Sequence, residues 1–297
     1  MAVLVTGGSG FIGSHVVDKL LEKGFNVKVF DTAKPLNEAV EWIKGDLLKE
    51  DDVIRACKDV EKILHLAAVA DVNVALDNPE LCLKINELGT INLLRAAVNA
   101  KVEKVILAST IWVYGTAPGP VTEDTPIPPP DHIYTKTKIG QEHLVMTWEK
   151  HYGLPYVILR YGIPYGPRMR PNMAIAAFVK RASSNETITI FGDGNQGRCF
   201  IYVEDLAEGN VAALKPQAKN EIINVAGAEF VTINQIVNEL QRIFGKLNIE
   251  HKPARPGDYM GTKINIEKAQ RILGWRPVTS FRNGLRKYME SIKATSS

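Results

Sequence analysis

The stretch VLVTGGSGFIG at residues 3–13 decides the fold of this 297-residue chain, because it joins a strand to a helix through a glycine-rich turn. Residues 3–5 are apolar and predict a short strand, and residues 14–23 predict the helix. A second strand at residues 26–30 is closed by Asp31. Strand, glycine turn, helix, strand and acid within about 30 residues predict the first unit of a doubly wound parallel sheet.

The glycines of this turn favour a dinucleotide ligand. They let the backbone come close to a pyrophosphate, and the N-terminus of the following helix attracts its charge. The spacing fits Gly8-x-Gly10-x-x-Gly13, and it also fits a motif that begins at Gly7. Asp31 would accept a hydrogen bond from the adenosine ribose and repel a 2′-phosphate, so the sequence predicts NAD rather than NADP. In the alternative interpretation, the glycines only tighten a turn.

Strands and helices continue to alternate through the first half of the chain. Residues 62–66 predict a buried strand that runs into two alanines, and residues 105–108 predict another that delivers Ser109 and Thr110. A helix is predicted between them at residues 79–100. Buried strands separated by helices predict an α/β, Rossmann-like parallel sheet covered on both faces. Ligands of such sheets bind at the carboxyl edge of the strands.

The rhythm changes after a strand predicted at residues 157–160, where prolines and glycines interrupt the alternation. We therefore predict a dinucleotide-binding domain over residues 1–164 and a smaller domain over residues 165–297. One or both of the strands predicted at residues 199–203 and 222–226 rejoin the first sheet. The C-terminal domain is accordingly expected to be interleaved with the first and to bind the substrate.

Composition excludes several classes of function. The formal charge of +3 is small and the basic residues are not clustered, so no nucleic-acid partner is expected. Cys57, Cys82 and Cys199 lie far apart without metal-ligand spacing and are expected to be reduced, mostly buried thiols, and no metal site is predicted. No run approaches the roughly 20 apolar residues of a membrane span. The sequence predicts a soluble cytoplasmic protein with no membrane association.

A tyrosine and a lysine form the candidate catalytic pair. Tyr134 and Lys138 lie four residues apart on a helix predicted at residues 131–152, with Asp131 as N-cap and Gly153 as the stop, so both project from one face. A nearby cation and the positive helix end would lower the phenol pKa, and the pair could then accept a proton from a hydroxyl. The spacing alone equally fits a solvated helix face; the motifs around it favour the catalytic interpretation.

These motifs resemble the extended short-chain dehydrogenase/reductase family, in particular its NAD-dependent nucleotide-sugar epimerase and dehydratase branch of the UDP-glucose 4-epimerase kind. The resemblance runs in the family's order from Ala2 to about Tyr288. The motifs that carry it are TGGSGFIG (6–13), HLAA (65–68), ST and VYG (109–110 and 113–115), YTKTK (134–138), RY (160–161), YGPR (165–168), GDG (192–194) with Arg198, VED (203–205), RPGD (255–258) and LGW (273–275).

The resemblance implies an NAD site and favours the glycine motif that begins at Gly7. It assigns Asp46 and Leu47 to the adenine and gives Lys138 a second task, that of holding the nicotinamide ribose. The implied cofactor-binding residues are Gly7, Gly10, Phe11, Ile12, Gly13, Asp31, Asp46, Leu47, Leu66, Ala67, Ala68, Asn86, Ser109, Tyr134, Lys138 and Tyr161.

The resemblance also implies the catalytic and substrate residues. Thr110, rather than Ser109, matches the family's catalytic hydroxyl, which bridges the substrate oxygen and the tyrosine. Arginine forks suit paired phosphate oxygens, which supports a diphosphate site. For Arg255 and Asp258, a surface ion pair is the alternative. The implied catalytic residues are Thr110, Tyr134 and Lys138, and the implied substrate-binding residues are Thr110, Tyr134, Arg198, Arg255 and Asp258. Beyond the resemblance, we predict that Trp112 lines the substrate site and that Asn172 replaces the hydrogen bond of an asparagine that this chain lacks.

Two positions after Thr110 help to choose a reaction. Family members that eliminate water carry an Asp-Glu pair there, whereas this chain has Ile111 and Trp112, which cannot transfer protons. Trp112 would be a pocket wall that narrows the sugar site, or a core residue. Ile163 stands where the family commonly has an asparagine that contacts the sugar nucleotide, so the sugar specificity is not carried over.

The predicted function is therefore an NAD-dependent 4-epimerase of a nucleoside-diphosphate sugar, most simply of the UDP-glucose/UDP-galactose type, acting through a transient 4-keto sugar. The alternatives are a dehydrogenase or reductase of the same fold and a non-catalytic NAD-binding sensor. The family further implies a homodimer formed through the helices that contain Asn86 and Tyr134.

Overall fold

The computed structural model describes residues 1–117, 119–254 and 260–296. Seven of its strands form one sheet, and three further pairs form small two-stranded sheets. The strands are β1 (Ala2–Thr6), β2 (Asn26–Asp31), β3 (Glu41–Lys44), β4 (Lys62–His65), β5 (Lys104–Thr110), β6 (Tyr156–Tyr161), β7 (Ile163–Tyr165), β8 (Ile188–Phe191), β9 (Gly197–Arg198), β10 (Phe200–Tyr202), β11 (Glu221–Val225), β12 (Val231–Thr232) and β13 (Ile249–Lys252).

Helices alternate with the strands of the large sheet and cover both of its faces. Among the helices that the structure describes, none combines the length and apolar composition of a membrane span. The α-helices are α1 (Phe11–Glu22), α2 (Glu50–Cys57), α3 (Val72–Asp77), α4 (Pro79–Leu83), α5 (Gly89–Asn99), α6 (Ile133–Tyr152), α7 (Ala174–Ser183), α8 (Val203–Ala212), α9 (Ile233–Phe244), α10 (Glu267–Leu273) and α11 (Phe281–Ser296).

The large sheet has the order β11-β6-β5-β4-β1-β2-β3, and all of its strand pairs are parallel. The chain winds outward from β1 in one direction and then returns to start again at β4, so the topological switch point lies between β1 and β4. Strands β4 and β5 are buried along their whole length because helices pack on both sides. The predicted doubly wound α/β fold is confirmed.

The second half of the chain is interleaved with the first. Strand β11 pairs with β6 and so extends the large sheet, whereas β10 pairs only with β7 in a separate two-stranded sheet. Of the two strands predicted to rejoin the first sheet, only the later one does so. Helix α8 packs against α1 across the sheet face, and β8, α7, α9 and α11 enclose a third apolar core.

Two helices differ in detail from the sequence prediction. The N-cap of α6 is His132, whose Nδ1 accepts from the backbone N–H of Thr135, so the predicted Asp131 cap is wrong by one residue. Gly153 ends this helix with φ of +66°, as predicted. The helix predicted at residues 79–100 consists of α4 and α5 joined by a π-helical segment, Lys84–Leu88. Such wide turns often mark functional positions.

Candidate active site

The glycine turn lies at the switch point of the sheet, directly after β1. Gly7 has φ of +71°, and a Cβ atom there would lie 2.7 Å from the backbone nitrogen of Ala67. A Cβ at Gly13 would collide with the carbonyl oxygen of Gly7. A Cβ at Gly8 would instead lie 2.8 Å from Cγ1 of Val29, so Gly8 allows the helix to approach the sheet. The turn therefore brings backbone, not side chains, to the N-terminus of α1, as a pyrophosphate site requires.

A cavity of about 370 Å³ runs from the glycine turn to the tyrosine–lysine pair. It collects most of the residues that the sequence assigns to the cofactor and to catalysis. The predicted residues that line it are Gly7, Gly10, Phe11, Ile12, Gly13, Leu66, Ala68, Ser109, Thr110, Trp112, Tyr134, Lys138 and Tyr161. The sequence analysis missed other lining residues, including Arg170, because nothing in its local pattern distinguishes a cavity arginine from a surface one.

The two acidic residues predicted at the adenosine end do not line this cavity: Asp31 ends β2, and Asp46 follows β3 by two residues. Both carboxylate oxygens of Asp31 accept hydrogen bonds of 3.0 Å, from the backbone N–H groups of Ser9 and Ala33. This carboxylate therefore ties the end of β2 to the glycine turn and keeps acceptor capacity for a ribose. Asp46 accepts from the backbone of Leu48, and the side chain of Leu47 is buried in the core.

The two hydroxyls at the end of β5 point in different directions. Thr110 lines the same cavity as Tyr134, and the Thr110 hydroxyl lowers the pKa of the phenol. The hydroxyl of Ser109 instead donates to the buried carboxylate of Glu142 at 2.5 Å. The structure thus brings Thr110, and not Ser109, to the tyrosine oxygen.

Burial controls the charge of the tyrosine, contrary to the sequence prediction of a lowered pKa. Burial raises the pKa of the Tyr134 phenol to about 12, against the opposing effects of Thr110 and of the Arg170 cation. The Lys138 ammonium lies 6.0 Å from the centre of the phenol ring and donates to the carbonyl oxygen of Ala108 at 2.9 Å. The lysine is therefore directed past the ring towards β5. Without bound NAD, the phenol is protonated at neutral pH.

Lys138 is itself deeply buried, and this has the opposite effect on its charge. Burial lowers the pKa of its ammonium to about 8, while the negative charge of Glu142 favours the protonated form. His65, which the sequence analysis left as structural, is buried beside it, and burial lowers its pKa to about 3. Its two ring nitrogens are bonded to Thr6 and Thr90, so this histidine links β1 to α5.

Asn86 lies in the π-helical segment and is fully buried, where its amide joins two parts of the site. Its Oδ1 accepts from the backbone N–H of Val69 at 2.7 Å, and its Nδ2 donates to the hydroxyl of Thr137 at 2.9 Å. Val69 follows the alanines after β4, and Thr137 precedes Lys138. Asn86 thus fastens the loop after β4 to the catalytic helix rather than lining the cavity.

A second cavity of about 470 Å³ also has Trp112 in its wall and is lined by Arg198, as well as by Arg181, which the sequence analysis missed. Trp112 and Ile163 line both cavities and also a third of about 330 Å³. Trp112 is therefore a cavity wall and not a core residue. Two predicted substrate residues, Arg255 and Asp258, lie outside the described residues.

Asn172 is the remaining predicted substrate residue, and it lies near the mouth of the first cavity. Its amide donates to the carboxylate of Asp71 at 2.9 Å, and Arg170 lies 3.7 Å from the same carboxylate. These contacts connect the loop after β4 with the segment before α7. The structure brings Asn172 to this bridge rather than to the lining of the three cavities.

The sheet, the glycine turn at its switch point and the hydroxyl–tyrosine–lysine set beside it define an NAD-dependent enzyme of the short-chain dehydrogenase/reductase class. The profile of the NAD dependent epimerase/dehydratase family matches residues 3–226. The chain belongs to this family.

Relatives within the family agree with this assignment over nearly the whole chain. The chain is 36% identical to a UDP-glucuronate 4-epimerase of Thermodesulfobacterium geofontis, with 96% of this chain and 94% of the relative covered. It superposes on the UDP-glucose 4-epimerase of Thermotoga maritima bound to UDP-glucose with a TM-score of 0.93 at 34% identity, covering 100% of both chains. It superposes on the UDP-glucuronic acid 4-epimerase of Bacillus cereus, bound to UDP-glucuronic acid and NAD, with a TM-score of 0.91 at 35% identity, covering 99% and 100%.

Proposed function

We propose that the protein is an NAD-dependent 4-epimerase of a UDP-sugar, either a hexose or a uronate. The observation that carries this proposal is one cavity that the glycine turn, Thr110 and Tyr134 line together, and whose wall residue Trp112 also lines the cavity of Arg198. A sugar beside Trp112 would have its hydroxyl near the phenol and its diphosphate within the second cavity. The UDP-glucuronate 4-epimerase relative and the solved UDP-glucose 4-epimerase support the reaction class.

The chain fits NAD on its own geometry. The glycine turn is too tight for side chains at Gly7 and Gly13, so it presents backbone to the N-terminus of α1, where a pyrophosphate would bind, and Asp31 favours a free 2′-hydroxyl. Lys138, which lines the same cavity, would hold the nicotinamide ribose. When bound, NAD supplies a reversible hydride acceptor and a positively charged ring.

The chain's own residues handle the proton. Thr110 would bridge the sugar hydroxyl and the phenol oxygen, and Tyr134 would accept the hydroxyl proton as phenolate and return it later. Because burial holds the pKa of this phenol at about 12, the phenolate requires additional positive charge within the cavity. Lys138 contributes one such charge and a fixed hydrogen bond to β5.

The residues after Thr110 favour epimerisation over elimination. Ile111 and Trp112 begin a short 3-10 turn, Ile111–Tyr114, and neither side chain can protonate a leaving hydroxyl. Transient oxidation at one carbinol, followed by reduction from the other face, needs only the Thr110, Tyr134 and Lys138 set with NAD. For Arg198, Arg255 and Asp258 we propose contacts with the nucleoside diphosphate, with Arg198 supported by its place in the second cavity.

Incubation of the purified protein with UDP-glucose, UDP-galactose, UDP-glucuronate or UDP-galacturonate tests the proposal. We expect the C4 epimers to interconvert without added NAD. Chromatographic separation of the two epimers measures this conversion. Stoichiometric accumulation of NADH would instead identify a dehydrogenase, and NAD binding without turnover of any UDP-sugar would identify a sensor. Either result would refute the epimerase proposal.

We also propose a cytoplasmic homodimer formed through the helical stretch containing the π segment and through α6. Leu81 and Leu88 lie seven residues apart on that stretch, and Leu88 is 46% exposed. Beside them, the Lys136 ammonium of α6 lies 2.6 Å from the Glu87 carboxylate of the π segment. This ion pair joins the two helical stretches, so that they could form one continuous surface. Light scattering of the protein and of Leu88→Asp tests this: the first should be dimeric and the second should shift towards the monomer.

A further inference from the structure

A buried ion pair lies one layer behind the catalytic set. The guanidinium of Arg160 donates to the carboxylate of Glu142 through two nitrogens, at 3.0 and 2.7 Å, and both side chains are 2% exposed or less. Taking two charges out of water costs about as much as their attraction returns, so such a pair is weak evidence for stability alone. Its bidentate geometry does, however, fix the relative position of the two elements that carry it.

Those two elements are the ones that present the catalytic side chains. Glu142 lies on α6, one turn after Lys138 and two turns after Tyr134, so all three project from one side of the helix. Arg160 lies on β6, directly beside β5 in the sheet, where it is paired with Ser109. The ion pair therefore sets the register between the catalytic helix and the carboxyl end of β5.

The pair also holds the residue next to Thr110. Ser109 donates to Glu142 at 2.5 Å, so the carboxyl end of β5 is tied to the side of α6 that carries Tyr134. Thr110 follows as the last residue of β5, lines the same cavity as Tyr134 and lowers the pKa of that phenol. The ion pair thus fixes Thr110 through its neighbour in sequence.

The chain after Thr110 is fastened to the same pair. Arg160 donates to the Tyr114 hydroxyl at 2.9 Å, and its guanidinium lies 5.0 Å from the centre of that ring. The Tyr114 hydroxyl in turn donates to Asn224 of β11 at 2.7 Å. The segment from Ser109 to Tyr114 is consequently held at both ends, with Thr110 and Trp112 between them.

We propose that the Glu142–Arg160 pair, with Ser109, is a positioning device for the epimerisation: it aims Thr110 at Tyr134 and holds Lys138 in register. This inference rests on the proposed function and adds positioning residues to it. Glu142 acts on the lysine by charge as well as by position. The titratable groups that face Lys138 are Tyr134 on its own helix, Cys82 on α4, His65 on β4 and Glu142.

Two substitutions at Glu142 separate charge from position. Glu142→Gln keeps the shape of the side chain and removes its charge. We expect kcat to fall about tenfold or more and KM for the UDP-sugar to stay within about twofold. Because the Glu142 charge favours protonated Lys138, the alkaline limb of the pH–rate profile should move to lower pH. Glu142→Asp keeps the charge and loses the reach; we expect a similar fall in kcat with that limb unchanged.

A milder variant guards against loss of folding. Ser109→Ala removes one hydroxyl from the network and should lower kcat about fivefold and raise the pKa of Tyr134, because Thr110 is then less firmly held. Ultraviolet difference titration of the NAD-bound protein against Tyr134→Phe measures that pKa without turnover. Tyr165→Phe is the matched control, since its buried hydroxyl donates to the backbone carbonyl of Phe281 in the third core.

The inference would be overturned if the Glu142 and Ser109 variants had lower melting temperatures but, like Tyr165→Phe, showed no change in kcat, in either limb of the pH–rate profile or in the pKa of Tyr134. The ion pair would then only stabilise the fold. If the wild-type protein turns over no UDP-sugar, the proposed function fails separately. The Tyr134 titration of Ser109→Ala then decides the inference alone, an unshifted pKa refuting it.

Discussion

The two walls of the active-site cavity are built differently. On the proposed cofactor side, Thr110 and Lys138 are 5% exposed or less, and the Lys138 ammonium donates to the carbonyl oxygen of Ala108 in the large sheet. On the proposed sugar side, Trp112 is 40% exposed and the side chain of Arg170 is 49% exposed, and both lie outside the large sheet. Proton-transfer groups need fixed geometry, whereas substrate contacts on loops can change without disturbing the core.

The largest effect is expected on the cofactor-side wall, at the tyrosine. Tyr134→Phe removes the proton acceptor and should lower kcat by about 10²- to 10⁴-fold, with little change in NAD affinity because the ring remains. Steady-state kinetics and NAD titration by fluorescence measure the two quantities. A variant with near-normal turnover would show that the phenol takes no part in the reaction.

The protonation state of the Tyr134 phenol predicts that NAD binding depends on pH. Burial holds the pKa of Tyr134 at about 12 in the chain alone, and a bound cationic ring should lower it. The complex then releases a proton, so the Kd for NAD should fall as pH rises between the bound-state and the free-state pKa, by up to about tenfold per pH unit. Tyr134→Phe is the control, and a wild-type Kd that follows the pH course of this variant contradicts the prediction.

The cofactor-side wall could be predicted from sequence because its parts are local. The glycine turn, Thr110 and the Tyr134–Lys138 spacing are each written within a few residues, and parallel topology brings them to one sheet edge. The pKa of Tyr134 could not be predicted in the same way. It depends on how deeply the fold buries the ring and on the 6.0 Å between the ring and the lysine ammonium, neither of which the spacing contains.

The sugar-side wall is where sequence reasoning reached least far. Arg170 and Arg181 were missed because only the tertiary fold brings these arginines from surface-like segments to the cavities. Asn86 was predicted at the cofactor. In the structure its amide joins Val69 to Thr137. The sequence predicts a regular helix at this position and not the π-helical segment that carries Asn86, so it does not suggest this link.

A moderate effect is expected at the residue where the two walls meet. Trp112 lines all three cavities, and its ring lies 5.4 Å from that of His132, which stacks on Tyr134 at 6.1 Å. Trp112→Ala should raise KM for the UDP-sugar about tenfold, equivalent to about 1.4 kcal/mol, through lost contact area. Trp112→Phe keeps an aromatic wall and should change KM less. An unchanged KM in both variants would place the sugar away from this residue.

The smallest effect is expected at the outer rim of the sugar side. The amide of the exposed Asn172 is committed to the partly buried carboxylate of Asp71, and a single polar contact at the surface contributes only about 0.2–1 kcal/mol. Asn172→Ala should therefore change KM for the UDP-sugar by no more than about fivefold and leave kcat unchanged. Asp71→Asn, which keeps the amide's partner and removes its charge, is the matched variant. A much larger rise in KM for Asn172→Ala than for Asp71→Asn would mean that the asparagine leaves Asp71 and binds the sugar nucleotide, as the sequence first predicted.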